Sequence, residues 1–503
     1  MNANSRFGLK LLGTAIALGA LGDFLLRAAP WGLNIAVLTI ALTLAVAGLA
    51  HSGRLELTGG GRRLLLPAVG FGLCFAWRDS TTLKCFDALA VLTAFGLAAW
   101  RSREGQIRAA ACTEIALGLL FSALNCVFGV VLLVFKDIRW KEFPGSHGSR
   151  NAVALGRGLL IALPLLLVFG GLFMAADAGF ERIVNRLFHF DLEVIVSHIL
   201  LIGFCSWTLA GFLRHTLESP TLVAPTLPRP QILTLGILEI GTVLGLLDLL
   251  FLAFLGVQLG YLFGGRAHLF AVAGLTAADY ARRGFFELTA VAALILPLLL
   301  FADWLLRKET PRIVRLFQGM SGALIGLTFT VMFSAMQRLW LYHVGFGLTE
   351  TRFYVAAFMG WLAMVFVWFA WTVLRGQRPR FAFGTIVSAF TCLGILHLLN
   401  PDAFIVYANV ARQQHGRTLD TRYVLGLSAD ATPALVAALP QLSPDTRTSV
   451  VQALWNENPT VGPEGGPVYD APPSGNWPAV RHGDWRAWSW SRAAAYRALR
   501  NRR

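Results

Sequence analysis

The feature that most constrains this chain is the recurrence of apolar runs about 20 residues long, parted by short basic or turn-rich connections. Wound as an α-helix, such a run covers about 30 Å, the thickness of a bilayer's hydrocarbon core. In hydrocarbon the backbone must satisfy its own hydrogen bonds, so runs of this kind are helices. They fall near residues 9–27, 31–50, 64–78, 82–100, 109–135, 158–176, 192–213, 232–262, 284–306, 316–341, 351–374 and 382–399. Composition agrees: 56% of the chain is hydrophobic and 14% charged, against roughly 25% charged in soluble domains. The sequence therefore predicts an all-α protein. A polytopic transmembrane helix bundle of about twelve spans occupies residues 1–400, and a polar, mostly helical tail occupies 401–503.

Arg6 and Lys10 precede the first run and imitate a signal peptide. Ala28–Ala29–Pro30 is a poor cleavage site and a second run follows at once, so the stretch reads as the first membrane helix. A net charge of +15 would suggest nucleic acid in a soluble protein. Here the basic residues sit in short loops, where they meet lipid headgroups and set orientation, and no nucleic-acid partner is expected. The loops at 136–157, 307–315 and 375–380 fall on one side of a twelve-span arrangement, which makes that side cytoplasmic and puts both termini and the tail outside. Arg54, Arg62, Arg63, Arg101, Arg103 and Arg108 run against that assignment.

No G-x-x-x-x-G-K-[ST], H-E-x-x-H or G-x-S-x-G is present. No cofactor is expected, and no catalytic constellation stands out. The six cysteines lie in apolar segments without a C-x-x-C and read as small buried apolar residues, so no metal is expected either. Ionisable residues inside spans are the functional candidates, because each costs several kcal/mol unless paired or hydrated. Asp23 with Arg27, Asp303 with Arg307, Arg283 with Glu287, and Lys84 with Asp87 are spaced to neutralise one another on one helix face. Glu114, Glu239 and Asp248 have no such neighbour, and nine residues put Glu239 and Asp248 on opposite faces of one helix. Arg338, beside Trp340 and Tyr342, could bind an anion or headgroup, or pair with either carboxylate. These four are the candidate pathway residues. A desolvated carboxylate that stays protonated suits a proton-coupled step, and equally a hydrogen bond between helices. His198 and His397 read as interhelical hydrogen-bond partners.

Gly241-x-x-x-Gly245 and Gly322-x-x-x-Gly326 would let helices approach closely, placing the eighth and tenth spans in the interior. Residues 177–191 carry one apolar face, that of an interfacial helix or a lid over the bundle. A weak repeat joins Phe254-x-x-x-Gln258, Tyr261 and Gly274-Leu275-Thr276 to Phe333-x-x-x-Gln337, Tyr342 and Gly347-Leu348-Thr349, with Thr276 and Thr349 as helix N-caps. In the tail, Thr432-Pro433 and Ser443-Pro444 open short helices. Residues 456–479 read as a loop, and a helix at about 484–500 carries Trp485, Trp488 and Trp490 with several arginines, a composition suited to a membrane interface.

Several phrases, in order, are similar to a known family. They are Tyr261-Leu-Phe-Gly-Gly265, Tyr280-Ala-Arg-Arg-Gly-Phe-Phe-Glu-Leu288, Ser334-Ala-Met-Gln-Arg-Leu-Trp-Leu-Tyr342 with Gly347-Leu-Thr-Glu350, Asn400-Pro-Asp-Ala403 with Tyr407 and Asn409, and Asp484-Trp-Arg486 with Ser491-Arg492. Together they resemble the family catalogued as domain of unknown function 4173, and a related family, 4153, shares some of them. The resemblance implies a multi-pass protein of a bacterial inner membrane and brings no activity or site residue. Besides a membrane-embedded enzyme acting on lipid or envelope precursors, for which the residues offer no convincing polar constellation, two functional expectations stand. One is an ion- or proton-coupled carrier or flippase for a small or lipid-linked solute. The other is a non-catalytic scaffold or sensor that binds an envelope protein through its tail and outer loops. Membrane lipids are expected partners in both.

Overall fold

The computed structural model describes residues 3–55, 57, 59–100, 110–140, 192–218, 234–263, 285–307, 309–455 and 484–501, with isolated positions between 155 and 180 and the pairs 460–461 and 467–468. Its long helices are α1 (Ala3–Leu26), α2 (Leu33–Ser52), α3 (Gly59–Trp77), α4 (Thr81–Trp100), α5 (Cys112–Leu132, extended by a π-helical turn Leu133–Asp137), α6 (Leu192–Leu217), α7 (Ile237–Phe263), α8 (Phe285–Leu305), α9 (Pro311–Phe346), α10 (Glu350–Thr372) and α11 (Arg378–Leu399). The tail adds α12 (Pro401–Gln414), α13 (Thr421–Leu425), α14 (Thr432–Ala438), α15 (Pro444–Trp455) and α16 (Trp490–Arg500). The only strands among the described residues are the two-residue pair Thr460–Val461 and Pro467–Val468.

Ten of the described helices are long and apolar enough to cross a membrane. α3 is not among them, because Arg62 and Arg63 follow three glycines at its start. It nevertheless fills the third expected span and packs between α2 and α4, with Gly72 seated against the Thr39 side chain. The expected span at 158–176 and the amphipathic segment at 177–191 lie largely outside the described residues.

The tail folds onto the end of the bundle where α1 finishes. The Trp488 carbonyl accepts a hydrogen bond from the Leu33 amide at 2.9 Å, and Arg486 donates to the Phe24 carbonyl at 2.5 Å. α10 begins at this end, where the Glu350 amide donates to the Tyr423 hydroxyl at 2.7 Å. α11 ends there at Asn400, whose left-handed backbone (φ 50°) turns the chain into α12. A left-handed residue breaks helical hydrogen bonding without ending the chain's progress, and Asn tolerates that conformation better than most side chains. α12 to α15 share an apolar core that takes in Leu348 and Phe353 from the bundle.

α5 corrects the expected topology. Near its start, Gly118 lies against the indole of Trp100, the last residue of α4. Just past its end, Ile138 packs on Gly8, and the Arg139 amide donates to the Ser5 hydroxyl at 3.2 Å. Trp100 and Ser5 both sit at the end opposite the tail. α5 is apolar and long enough to be a span, yet it starts and finishes at one end of the bundle. It crosses α6 where Gly129 meets Gly211 backbone to backbone, an approach no Cβ would permit. The chain next enters α6 at the tail end, where His198 meets Asp23. The N-terminus and the tail thus lie at opposite ends of α1, whereas the twelve-span arrangement places them at one end.

Among the described residues the bundle holds two large apolar cores, one built by α1–α6 with part of α11 and one by α7–α11, and a small third one where α4, α5 and α11 meet. α7 is not the interior helix that its glycines suggested. Leu238, Leu246, Leu249 and Leu250 are all exposed on it, as befits a lipid-facing helix. Gly241 and Gly245 do face α9, through ordinary contact with Met320, whereas Gly322 and Gly326 have nothing within 4 Å.

Candidate functional site

A cluster of polar residues lies at the tail end, around the turn Arg78-Asp79-Ser80 between α3 and α4. A helix start leaves its first amides unpartnered and carries a partial positive charge, so it attracts a carboxylate. Asp430 fills that role, accepting from the Asp79 and Ser80 amides at 2.6 and 2.8 Å. Its other oxygen accepts from the Ser491 hydroxyl of α16 and pairs with Arg78 at 3.5 Å. Asp79 in turn holds Lys84 at 2.6 Å and Arg492 of α16 at 2.7 Å. Burial pushes the Asp79 carboxyl up, but the hydrogen bonds and charges of Arg492 and Lys84 outweigh it and hold the group below the usual carboxylate range.

Beneath this turn lies a second layer. Arg78 donates to the His397 carbonyl from Nε at 2.9 Å and Nη2 at 2.6 Å. Trp77 stacks on the His397 ring with centroids 5.9 Å apart. His397 Nε2 lies 2.8 Å from Asp87 Oδ1, joining α11 to α4, and both residues are 0% exposed. Asp87 Oδ2 and His397 Nδ1 meet no hydrogen-bond partner among the described residues. Cys74 of α3 stands beside them: the three residues each offer a ligand atom, all within 4.8 Å of one another.

A second carboxylate–histidine pair sits nearby at the same end. Asp23 accepts from Arg27 at 2.7 Å and lies 2.5 Å from His198 Nδ1 of α6. Of the three expected intrahelical pairs that lie within the described residues, Asp23 with Arg27 forms as expected. Asp303 pairs with Arg378 at 3.2 Å instead, and Arg307 donates to Thr234. Lys84 turns to Asp79 and leaves Asp87 to His397. Arg283 lies outside the described residues. A charged side chain reaches partners on neighbouring helices as readily as those on its own, which spacing along one helix cannot reveal. Both histidines make the interhelical contacts expected of them.

The four candidate pathway residues are not brought together. Glu239 sits in the first turn of α7 and caps it, accepting from the Gly236 amide at 2.5 Å. Asp248 lies mid-helix on α7, and its buried Oδ1 meets no donor among the described residues. Arg338 is close to the tail end of α9, roughly 20 Å along the axis from the level of Asp248 by the rise of a helix, with α7 and α9 aligned in register by the bond from Ser334 to Gln258 at 3.2 Å. Glu114 is in the first turn of α5, at the opposite end.

Between α7 and α9 an apolar cavity of about 360 Å³ is lined by Phe254, Phe329, Phe333, Gln258 and Ser334 among others. Phe254 and Gln258 of the first half of the weak repeat thus line a cavity with Phe333 of the second. Thr349 does occupy the N-cap position of α10, without a side-chain cap bond, and Thr276 lies outside the described residues. In the tail, the last helix begins at Trp490, after a separate turn at Trp485–Ala487.

Sequence reasoning missed the Cys74–Asp87–His397 cluster, because its members are scattered over three helices and form no motif. It missed Asp430 and Asp402 because the tail was read as separate from the bundle. Asp402 is buried at the start of α12, with Oδ2 held by the Ser428 hydroxyl and amide. Burial pushes its carboxyl up to about 7.

No curated protein and no solved structure matches the chain. A family match covers residues 65–438, from within α3 to the end of α14, and so takes in the second of the two families likened above together with both sides of the bundle–tail junction. The chain is a polytopic membrane protein that belongs to the family described as domain of unknown function 4153.

Proposed function

We propose that the protein is an ion- or proton-coupled carrier or flippase for a small or lipid-linked solute in a bacterial inner membrane. The observation that carries this reading is the Asp87–His397 pair. Two polar groups that are 0% exposed, each with one atom unpartnered among the described residues, sit within an apolar bundle. Groups so costly in a membrane interior mark ion paths more often than scaffolding. They replace Glu239 and Glu114, which sit at helix starts, as the centre of the proposed path, with Asp248 retained on α7. The apolar cavity between α7 and α9 supports a lipid-linked solute, since it offers an acyl-sized volume beside lipid-exposed residues.

The tail end is proposed to face away from the cytoplasm. With α5 confined to one end, Arg54, Arg62 and Arg63 fall on the same side as Arg139, Arg312, Arg315, Arg375 and Arg380. Trp100 and Ala110, which flank Arg101, Arg103 and Arg108, lie there too. The tail-end connections hold fewer basic residues, among them Arg27 and Arg78, both ion-paired. The Lys/Arg bias of short loops then puts the end opposite the tail in the cytoplasm.

A scaffold reading draws on the tail, where Trp485, Trp488 and Trp490 are exposed in a row. Charge movement separates the two. Proteoliposomes on a solid-supported membrane, challenged with ions and envelope solutes, should give a current that Asp87→Asn abolishes and Asp445→Asn leaves intact. Currents absent throughout, together with a protein cross-linked through the tail tryptophans, would favour the scaffold.

A further inference from the structure

We propose that Cys74, Asp87 and His397 form a binding site for a divalent transition-metal ion of the zinc class. Three different donors, a sulfur, an oxygen and a nitrogen, come from α3, α4 and α11 and lie within 4.8 Å of one another. This set suits Zn²⁺ or Co²⁺, and not the oxygen-seeking Mg²⁺ or Ca²⁺. Tetrahedral coordination with bonds of about 2.0–2.3 Å sets donors roughly 3.3–3.8 Å apart, so side-chain adjustments of about 1 Å would close the site.

Two further observations point to a ligand. Asp87 and His397 are 0% exposed, yet Asp87 Oδ2 and His397 Nδ1 lack a hydrogen-bond partner among the described residues. Buried polar atoms without partners are rare in folded proteins and call for an explanation. An ion supplies one, since it takes up donor atoms that water and protein leave idle. Charge is the other. A thiolate and a carboxylate carry two negative charges, which a divalent ion cancels within low-dielectric surroundings, with a neutral imidazole as the third ligand. The nearby cations do not oppose this, because Lys84 is held by Asp79 and Arg78 faces Asp430.

The surroundings fix the ligands from outside. Trp77 stacks on the imidazole, and Arg78 grips the backbone carbonyl of the same histidine. Such outer contacts orient metal ligands and raise affinity. Three protein ligands leave a fourth position open, the arrangement of sites that exchange a ligand, whereas structural sites are closed by four. The inference stands whether or not the chain is a carrier.

The test uses the full-length protein in lipid nanodiscs, stripped with chelator and titrated with CoCl₂. One equivalent should bind, giving a near-ultraviolet thiolate-to-cobalt charge-transfer band that Zn²⁺ displaces. Cys74→Ser should lose the band, and Asp87→Asn and His397→Gln should weaken binding by at least about tenfold. Cys126→Ser, outside the cluster, should retain it. A chain keeping Cys74 as its single cysteine avoids dependence on the folding of these variants, because Zn²⁺ should slow its alkylation by N-ethylmaleimide. Absence of the band, a band that survives Cys74→Ser, or alkylation indifferent to Zn²⁺ would each overturn the site. Solute-driven currents without metal binding would remove the site and leave the carrier reading standing.

Discussion

The Arg492 guanidinium donates to Asp79 Oδ1 twice, from Nε at 2.9 Å and Nη2 at 2.7 Å, tying the last helix of the chain to the turn between α3 and α4. Both side chains are only 9% exposed. Breaking one partner of a buried pair strands the other charge, at a typical cost of about 3–5 kcal/mol. Arg492→Ala should therefore loosen α16, which is then left to neutral or shared contacts: the Ser491 hydroxyl with Asp430 and the Trp77 carbonyl, the Leu33 amide on the Trp488 carbonyl, and the Trp455 indole on the Leu499 carbonyl. Limited proteolysis should cut the variant ahead of Trp490 much faster than the parent. A cleavage rate unchanged in the variant would show that the tail is held by its tryptophans instead.

Asp402 makes the stability of the tail junction depend on pH. Burial raises its carboxyl to about 7, the Ser428 hydroxyl bond opposes the rise, and the charges of Glu350 and Asp430 add to it. The unfolded chain loses the same proton near the ordinary aspartate value of 3.8. Between those values the folded state holds a proton that the unfolded state has released, so stability is full below about pH 4 and falls as pH rises to about 7. Asp79 acts oppositely, since its depressed carboxyl favours folding above the unfolded value and the gain is lost in acid. Asp402→Asn should flatten the decline and gain about 1–3 kcal/mol at pH 8. Thermal unfolding from pH 4 to 8 reads this directly. Parallel curves for the two proteins would assign the pH dependence to another group.

The crossing of α5 and α6 depends on the absence of side chains. A Cβ at Gly211 would stand 2.3 Å from the Asn125 carbonyl and 2.6 Å from that of Cys126, both backbone atoms that cannot swing aside. Gly211→Val should cost at least about 2 kcal/mol, as overpacking does, and lower the yield of monodisperse protein. Gly70→Ala, with nothing within 4 Å, should stay within about 1 kcal/mol of the parent. Equal stability of the two variants would mean that the helices part without penalty.

The sequence made helices legible and left their directions obscure. Hydropathy reports that a segment prefers an apolar setting, and α5 has that setting without travelling from end to end. Its course is set by Gly118 against Trp100 and by Gly129 against Gly211, contacts between segments far apart in the chain. The same reason hid the candidate site. Asp87 is spaced to meet Lys84, but His397 lies 310 residues away and takes it instead. Local spacing did identify Asp23 with Arg27, where no competitor outbids the neighbour, and His198 joins that pair without displacing it.

The course of α5 has a consequence for the two termini. Ser5 and Gly8 lie beside Arg139 and Ile138, at one end of α1, while Phe24 and Gly32 touch Arg486 and Trp488 at the other. α1 has 24 residues, about 36 Å at 1.5 Å per residue, enough to separate the two sides of a bilayer. Reporters fused before Ala3 and after Asn501 should accordingly report opposite compartments. From the basic loops gathered around Ser5, the N-terminal fusion should be active in the cytoplasm and the C-terminal fusion outside it. A green fluorescent protein, which matures in the cytoplasm, and an alkaline phosphatase, which needs the oxidising exterior, give complementary signals at each position. Both fusions reporting one compartment would require α5 to cross the membrane after all, against its contacts with Trp100 and Gly8. Opposite compartments with the sense reversed would keep the fold and overturn only the orientation assigned from the arginines.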